Sequence, residues 1–316
     1  MTHDSVKNLF YGKIVERFCL NKEETERPTW HIVIDLRGSA MRYKPGDNLA
    51  IMAENDPALV EEILSKLPSE AHLGRDQLLK KIELPHDPFE KTSISEWLPL
   101  RPRLYSIASS QEACPGFAHL IVSERPCLLY GKKKEGVCSS FLCRRAEVGK
   151  TPIGLFLQPS RHTLFPSGET LPRIMIAAGT GIAPFRAFLQ QEHHLRRPLD
   201  RYWLIFGEKR KNSDFFYEDF WNELSAKGLH FATAFSRDAA EKRYVQHTLL
   251  DHKNDLFSWL ESGASVYVCG SLEMGQAVES ALLQLIEDES KTSNDSAKIY
   301  LQNLKNQKRF FRDLYC

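Results

Sequence analysis

The chain has 316 residues, of which 42 are Lys or Arg and 41 are Asp or Glu, for a net charge of +1. That balance gives no global field to draw in nucleic acid or an anionic membrane, and the length accommodates two cores of roughly 150 residues each. The N-terminus is polar and no stretch approaches the roughly 20 apolar residues of a membrane span. Seven cysteines (Cys19, Cys114, Cys127, Cys138, Cys143, Cys269 and Cys316) form an odd set without paired CxxC metal spacing. No metal site is expected, and free thiols suit a reducing, cytoplasmic compartment.

Strands are expected at Phe10–Phe18 and Trp30–Leu36. A third follows at Asn48–Met52, after the turn Tyr43-Lys44-Pro45-Gly46-Asp47. Short strands between turn residues indicate an antiparallel barrel or sandwich. Leu59, Ile63 and Leu67 then recur every four residues behind Asp56, a capping residue, and Pro57 at a first-turn position, which predicts a helix. A second short helical stretch is expected near Arg75–Lys81. Strand pattern resumes at Arg103–Ala108 and Ala118–Ser123, so the helices within about residues 54–100 read as an insertion in one domain, residues 1–168. The Lys132-Lys133-Lys134 run reads as a solvated loop.

Residues 169–316 alternate strand and helix, which implies a parallel α/β sheet. Ile174–Ala178 leads through a glycine turn into a helix carrying Phe185, Phe188 and Leu189. Further buried strands are expected at Tyr202–Phe206, Leu229–Phe235 and Ser265–Cys269, with Phe216, Phe220 and Leu224 marking one intervening helix.

Three motifs carry chemistry. Gly179-Thr180-Gly181 follows an apolar strand, with Pro184 where a helix begins. That arrangement aims free backbone N–H groups at an anion beyond the strand's carboxyl end, as in a dinucleotide site. Many such turns are only tight structural connections. Ser236-Arg237 stands past another strand's carboxyl end, with Lys242, Tyr244 and Gln246 behind it. A hydroxyl, a guanidinium and an ammonium suit a phosphate dianion, which favours NADPH over NADH, although a solvated charged loop has the same composition. Arg103-Leu104-Tyr105-Ser106 places Arg103 and Tyr105 on one strand face, where an arginine can pair with pyrophosphate and a tyrosine can cover a flat ring. Taken alone, that spacing also fits an ordinary edge strand.

Together these residues resemble the ferredoxin–NADP reductase superfamily, most closely the FAD- and NADPH-binding half of sulfite reductase flavoproteins and cytochrome P450 reductase-like diflavin enzymes. The resemblance covers nearly the whole chain. It implies a two-domain fold, an antiparallel FAD-binding barrel with a short helical insertion followed by a Rossmann-like NADP-binding domain. It assigns FAD contacts to Arg103, Leu104, Tyr105, Ser106, Ile121, Val122 and Ser123, and to Gly136, Val137, Cys138 and Ser139 at the pyrophosphate. NADP contacts fall to Gly179, Thr180, Gly181, Ser236, Arg237, Lys242, Tyr244 and Gln246. Ser106, Cys269 and Asp313 would form a polar cluster around the hydride path, and Tyr315 would stack on the flavin and move aside for nicotinamide.

The sequence also departs from that family. Barrel strands begin within about ten residues of Met1, which leaves no room for an FMN module, so electrons are expected to leave FAD for another molecule. The insertion is shorter than a diflavin connecting domain. Ser271 stands where the family has aspartate after Cys-Gly, Ala277 falls near the place of an NADP-contacting aspartate, and Cys316 extends one residue past the stacking aromatic. The expected activity is NADPH:acceptor oxidoreduction through FAD, with a flavodoxin, an FMN protein or a ferredoxin as the separate carrier. Alternatives are a flavoprotein component that serves a sulfite reductase haemoprotein, and more remotely a degenerate scaffold without catalysis.

Overall fold

The computed structural model describes residues 9–23, 25, 27–67, 74–84, 97–129, 132–160, 165 and 171–315. The sequence boundary at 168 and Cys316 lie outside these residues.

The first sheet is antiparallel. It is built from β1 (Phe10–Cys19), β2 (Thr29–Asp35), β3 (Asn48–Met52), β4 (Arg103–Ser106), β5 (Phe117–Ser123) and, later in the chain, β8 (Ile153–Gln158), in the order β4-β3-β8-β1-β2-β5. A bridge between Ile107 and Leu120 joins the two edges, so the sheet closes as a barrel and leaves no free edge at that point. Ile14, Ile32, Ile34, Leu49, Ile51, Leu120 and Leu155 fill it, all fully buried.

Between β3 and β4 stand α1 (Pro57–Leu64) and α2 (Arg75–Lys80). The Asp56 carboxylate accepts the Ala58 N–H at 3.0 Å and Pro57 opens the helix, the capping chemistry expected from sequence. Val60, Ile63, Leu78 and Leu79 form a separate small core. The lysine run corrects the reading as a loop: β7 (Lys132–Glu135) pairs antiparallel with β6 (Pro126–Leu129). Ladder hydrogen bonds are made by the main chain, so side-chain charge alone does not prevent pairing. A short α3 (Val137–Ser140) runs on into a π-helical turn, Phe141–Arg145.

The second sheet is wholly parallel. β9 (Arg173–Ala178), β10 (Tyr202–Glu208), β11 (His230–Phe235), β12 (Ser265–Ser271) and β13 (Phe310–Tyr315) lie in the order β11-β10-β9-β12-β13. A 3₁₀ turn, Gly179–Ile182, precedes α4 (Ala183–His194). Then come α5 (Lys211–Asp214), α6 (Glu218–Ala226), α7 (Val245–Asp251), α8 (Lys253–Glu261), α9 (Leu272–Ser290) and α10 (Asn294–Asn306). The three central strands β10, β9 and β12 are apolar on both faces, as a covered parallel sheet requires. Met175, Ala177, Leu204, Phe206, Tyr267 and Cys269 point to one side, and Ile174, Ile176, Trp203, Ile205, Val266 and Val268 to the other. The first side packs α4, α6 and the barrel residues Ala108 and Ile121. Strand alternation therefore turns Cys269 toward the barrel.

Buried polar groups join the two halves. His31 Nδ1 lies 2.6 Å from the Tyr217 hydroxyl and His31 Nε2 lies 3.0 Å from His119 Nδ1. Arg186 covers the Tyr217 ring at 4.4 Å and donates to Ala108 O at 2.6 Å. Burial, with Arg186 adding to it, lowers His31 to about 3 and His119 to about 4, so both imidazoles are neutral around pH 7.

Candidate active site

Strand order reverses between β9 and β12, the place where open α/β sheets bind ligands beyond their strands' carboxyl ends. The Gly179-Thr180-Gly181 turn leaves β9 there, and a cleft of about 560 Å³ opens over it. The turn fits because Gly181 has no side chain: a Cβ would fall 2.2 Å from Cys269 O. The loop thus rests directly on the backbone of β12. Ser271 leaves β12 as the cap of α9, its hydroxyl accepting the Met274 N–H at 3.2 Å. Ser271 and Ala277 both line the cleft, so two of the departures from the family pattern fall on its wall.

β13 sets the register of the chain's end. Cys269 stands opposite Asp313, and Ser271 opposite Tyr315. Cys269 Sγ lies 4.0 Å from Asp313 Oδ2. Burial raises the Cys269 thiol, with Asp313 adding to it, and burial also raises the Asp313 carboxyl, so the thiol keeps its proton and faces the carboxylate as a weak donor. The Tyr315 hydroxyl shares a 2.9 Å hydrogen bond with the Thr180 hydroxyl and lies 3.5 Å from Ala178 O. The Arg125 guanidinium covers its ring at 5.4 Å, and burial pushes the phenol up to about 12. The ring therefore stands across the glycine loop.

The other expected nucleotide residues divide. Ser236, Tyr244 and Gln246 line the cleft, whereas Arg237 and Lys242 are exposed in the loop after β11, outside the lining. The Arg237 N–H donates to Lys209 O at 2.7 Å, which ties this loop to the end of β10.

On the barrel, Arg103 and Tyr105 share the less exposed face of β4 while Leu104 points outward. Arg103 pairs with Glu83 at 2.7 Å. That partly exposed pair is weak, so a phosphate can exchange with it. The Ser106 hydroxyl donates to Asn48 Oδ1 at 3.1 Å. Of the three residues expected to cluster around the hydride path, hydrogen bonding thus joins Cys269 and Asp313 but not Ser106. Ile121 and Val122 are buried in opposite directions, Ile121 toward the parallel sheet and Val122 into the barrel, so only their backbone can meet a ligand. Ser123 reaches the cleft.

A second cavity, of about 460 Å³, is lined by Gly136, Val137, Ser139, Ser140, Arg125 and Arg144 among others. Cys138, buried beneath them, faces the barrel core. A Cβ on Gly136 would lie 2.5 Å from Arg125 O, and the Gly136 N–H donates to that oxygen at 2.9 Å. α3 is thereby seated against the exit of β5. Asp56, Glu62, Glu124 and Glu135 line the same cavity, and Glu124 pairs with Arg144 at 2.8 Å, so the donors that fit the phosphates of a flavin dinucleotide are Arg125 and the serine hydroxyls beside the Gly136 turn.

Arg125 lines both cavities. Sequence reading stopped at Ser123 and missed it, together with Glu208 on the cleft floor. An arginine two residues past a strand expected to bind cofactor was the available signal for the first, and a glutamate ending the strand beside the glycine turn was the signal for the second.

Comparison with known proteins agrees with this geometry. Residues 2–96 match the FAD binding domain family and residues 175–280 the oxidoreductase NAD-binding domain family. The chain is 31% identical to the sulfite reductase [NADPH] flavoprotein alpha-component of Bacillus subtilis over 98% of its own length and 61% of that protein's. For the protein of that name from Mannheimia succiniciproducens the identity is 34%, over 98% and 62%, and for that of Photobacterium profundum 33%, over 90% and 56%. The chain thus spans about three fifths of the length of these relatives. With a closed antiparallel barrel, a parallel sheet whose glycine turn lies at the switch point, and both domain families matched in that order, the chain belongs to the ferredoxin–NADP reductase superfamily, alongside the flavin- and nucleotide-binding half of sulfite reductase flavoproteins.

Proposed function

We propose that this chain is a cytoplasmic NADPH-dependent FAD oxidoreductase that passes electrons to a separate acceptor protein, with residues 1–168 holding FAD and residues 169–316 holding NADPH. The observation that carries this reading is one cleft that faces the barrel and is lined by Gly179, Thr180 and Tyr315, with the Cys269–Asp313 pair two residues back along β12 and β13 from its Ser271 and Tyr315. When bound, FAD would supply the two-electron redox chemistry that links the nucleotide to the acceptor.

The chain's own residues bind, orient and shield. Gly136 and Ser139, with Arg125 beside them, would hold the flavin's phosphates, and Tyr105 would cover its ring. The glycine loop presents N–H groups to the nucleotide, and Ser236, Arg237, Lys242, Tyr244 and Gln246 take its adenosine end. Tyr315 excludes water from the cleft until nicotinamide displaces it. Cys269 lends an S–H donor and Asp313 an acceptor beneath it.

No described helix is long and apolar enough to cross a membrane, so the partner is sought among diffusible carriers: a flavodoxin, an FMN protein or a ferredoxin. The names of the relatives favour a second reading, in which the acceptor belongs to a sulfite reductase system and its haemoprotein. Reoxidation of the reduced protein by each purified carrier separates the two.

Arg237→Ala tests the nucleotide preference. Loss of a charged hydrogen bond costs about 1.5–3 kcal/mol, so NADP⁺ binding is expected to weaken by that amount while NAD⁺ binding hardly changes. Equal losses for both nucleotides would remove Arg237 from the 2′-phosphate site.

A further inference from the structure

Glu208 is the one carboxylate that ends a strand on the floor of the nucleotide cleft among the described residues. β9 and β10 run in parallel register, with Ala178 opposite Gly207, so Glu208 comes beside Gly179. Its Oε1 lies 3.5 Å from where a Cβ on Gly179 would stand, and its Oε2 accepts the Lys209 N–H at 2.8 Å. The charged groups around it are Lys209 on its own strand end, Asp214 from α5 and Arg237 from the loop after β11. Arg27, Arg125, Glu273, Tyr244 and Tyr315 complete the ionisable groups of the cleft wall. A carboxylate in this place adjoins the N–H groups that would receive the nucleotide's phosphates, and two like charges there repel.

Resting on the nucleotide assignment made above, we propose that Glu208 couples nucleotide binding to proton uptake: phosphates seat on the Gly179–Gly181 loop only when the Glu208 carboxyl is neutral. The proton comes from solvent on binding and returns on release. The carboxyl is already poised for this role, because desolvation outweighs Lys209 and Arg237 and raises it to about 7. A bound phosphate raises it further. Affinity therefore falls as pH rises. If binding requires the neutral form, the loss between about pH 6 and about pH 8 is roughly tenfold by linkage.

Isothermal titration calorimetry of the full chain with NADP⁺ and with NAD⁺, each in two buffers of different ionisation enthalpy, reads the proton directly. The NAD⁺ arm is free of the 2′-phosphate, which itself titrates near pH 6. At about pH 8 the wild type is expected to take up about one proton per nucleotide, and at about pH 6 almost none. Glu208→Gln is expected to abolish the uptake of NAD⁺ binding and to flatten its pH dependence. Heats independent of buffer in the wild type, or equal uptake by wild type and Glu208→Gln, would overturn the proposal while leaving the nucleotide site intact. Failure of both nucleotides to bind at either pH would overturn the nucleotide assignment itself, and this coupling with it.

Discussion

Gly181→Ala is expected to destabilise the protein and to abolish nucleotide binding. The added Cβ would stand 2.2 Å from Cys269 O, 2.6 Å from Cys269 C and 3.0 Å from Gly270 N. All three atoms are backbone, in a strand held on both sides by β9 and β13, so no side chain can swing away to make room. Overpacking costs about 1–3 kcal/mol and occasionally more, and a backbone clash in a paired strand belongs at the upper end. The alternative response, lifting the loop off β12, would carry its N–H groups away from the cleft. Denaturant unfolding together with NADP⁺ titration checks both consequences. A variant with unchanged midpoint and affinity would contradict the seating of this loop.

Tyr315→Ala is expected to improve the use of NADH. In the resting cleft the ring must leave its place across the glycine loop before a nicotinamide can enter. That movement breaks a hydrogen bond to Thr180, worth about 0.5–1.5 kcal/mol, and an Arg125 cation–π contact worth about 0.5–1 kcal/mol. Removing the ring removes that cost for either nucleotide. With that cost gone, kcat/KM for NADH is expected to rise roughly tenfold. Tyr315→Phe, which keeps the ring and loses only the hydroxyl, is expected to fall between. NADH kinetics unchanged in Tyr315→Ala would place the aromatic elsewhere in the catalytic cycle.

Local chemistry was legible in the sequence wherever a few adjacent residues decide the outcome. Asp56 and Pro57 marked the start of α1, the turn at Tyr43–Asp47 preceded a strand at Asn48–Met52, and apolar runs located β9, β10, β11 and β12. The glycine turn was recognisable because strand, glycines and Pro184 are contiguous. Elements that depend on distant partners were harder to see. β7 is three lysines and a glutamate, and pairing with β6 makes it a strand. β13 is extended because it lies beside β12, which brings Asp313 to Cys269 across 44 residues of chain.

The site shows the same division. The roles expected of Ser236 and Gln246 rested on their following an apolar strand, and both reach the cleft. Arg237 and Lys242 carry the right charge but face solvent, since a loop's side-chain directions are not fixed by periodicity. Arg125 became conspicuous only when β5, α3 and the end of β13 met around it. Ser106 was expected beside Cys269 and Asp313, yet its hydroxyl is taken by Asn48 on the neighbouring barrel strand. A flavin that bridges barrel and parallel sheet would be what brings these groups into one reaction path.

The most direct test of the central claim is anaerobic stopped-flow absorbance near 450 nm on the purified full chain, mixed separately with NADPH and NADH, with the released flavin identified. FAD bound to the protein and bleached faster by NADPH than by NADH is the predicted result. A protein that retains no FAD, or whose FAD neither nucleotide reduces, would contradict the assignment and leave only a scaffold of this fold.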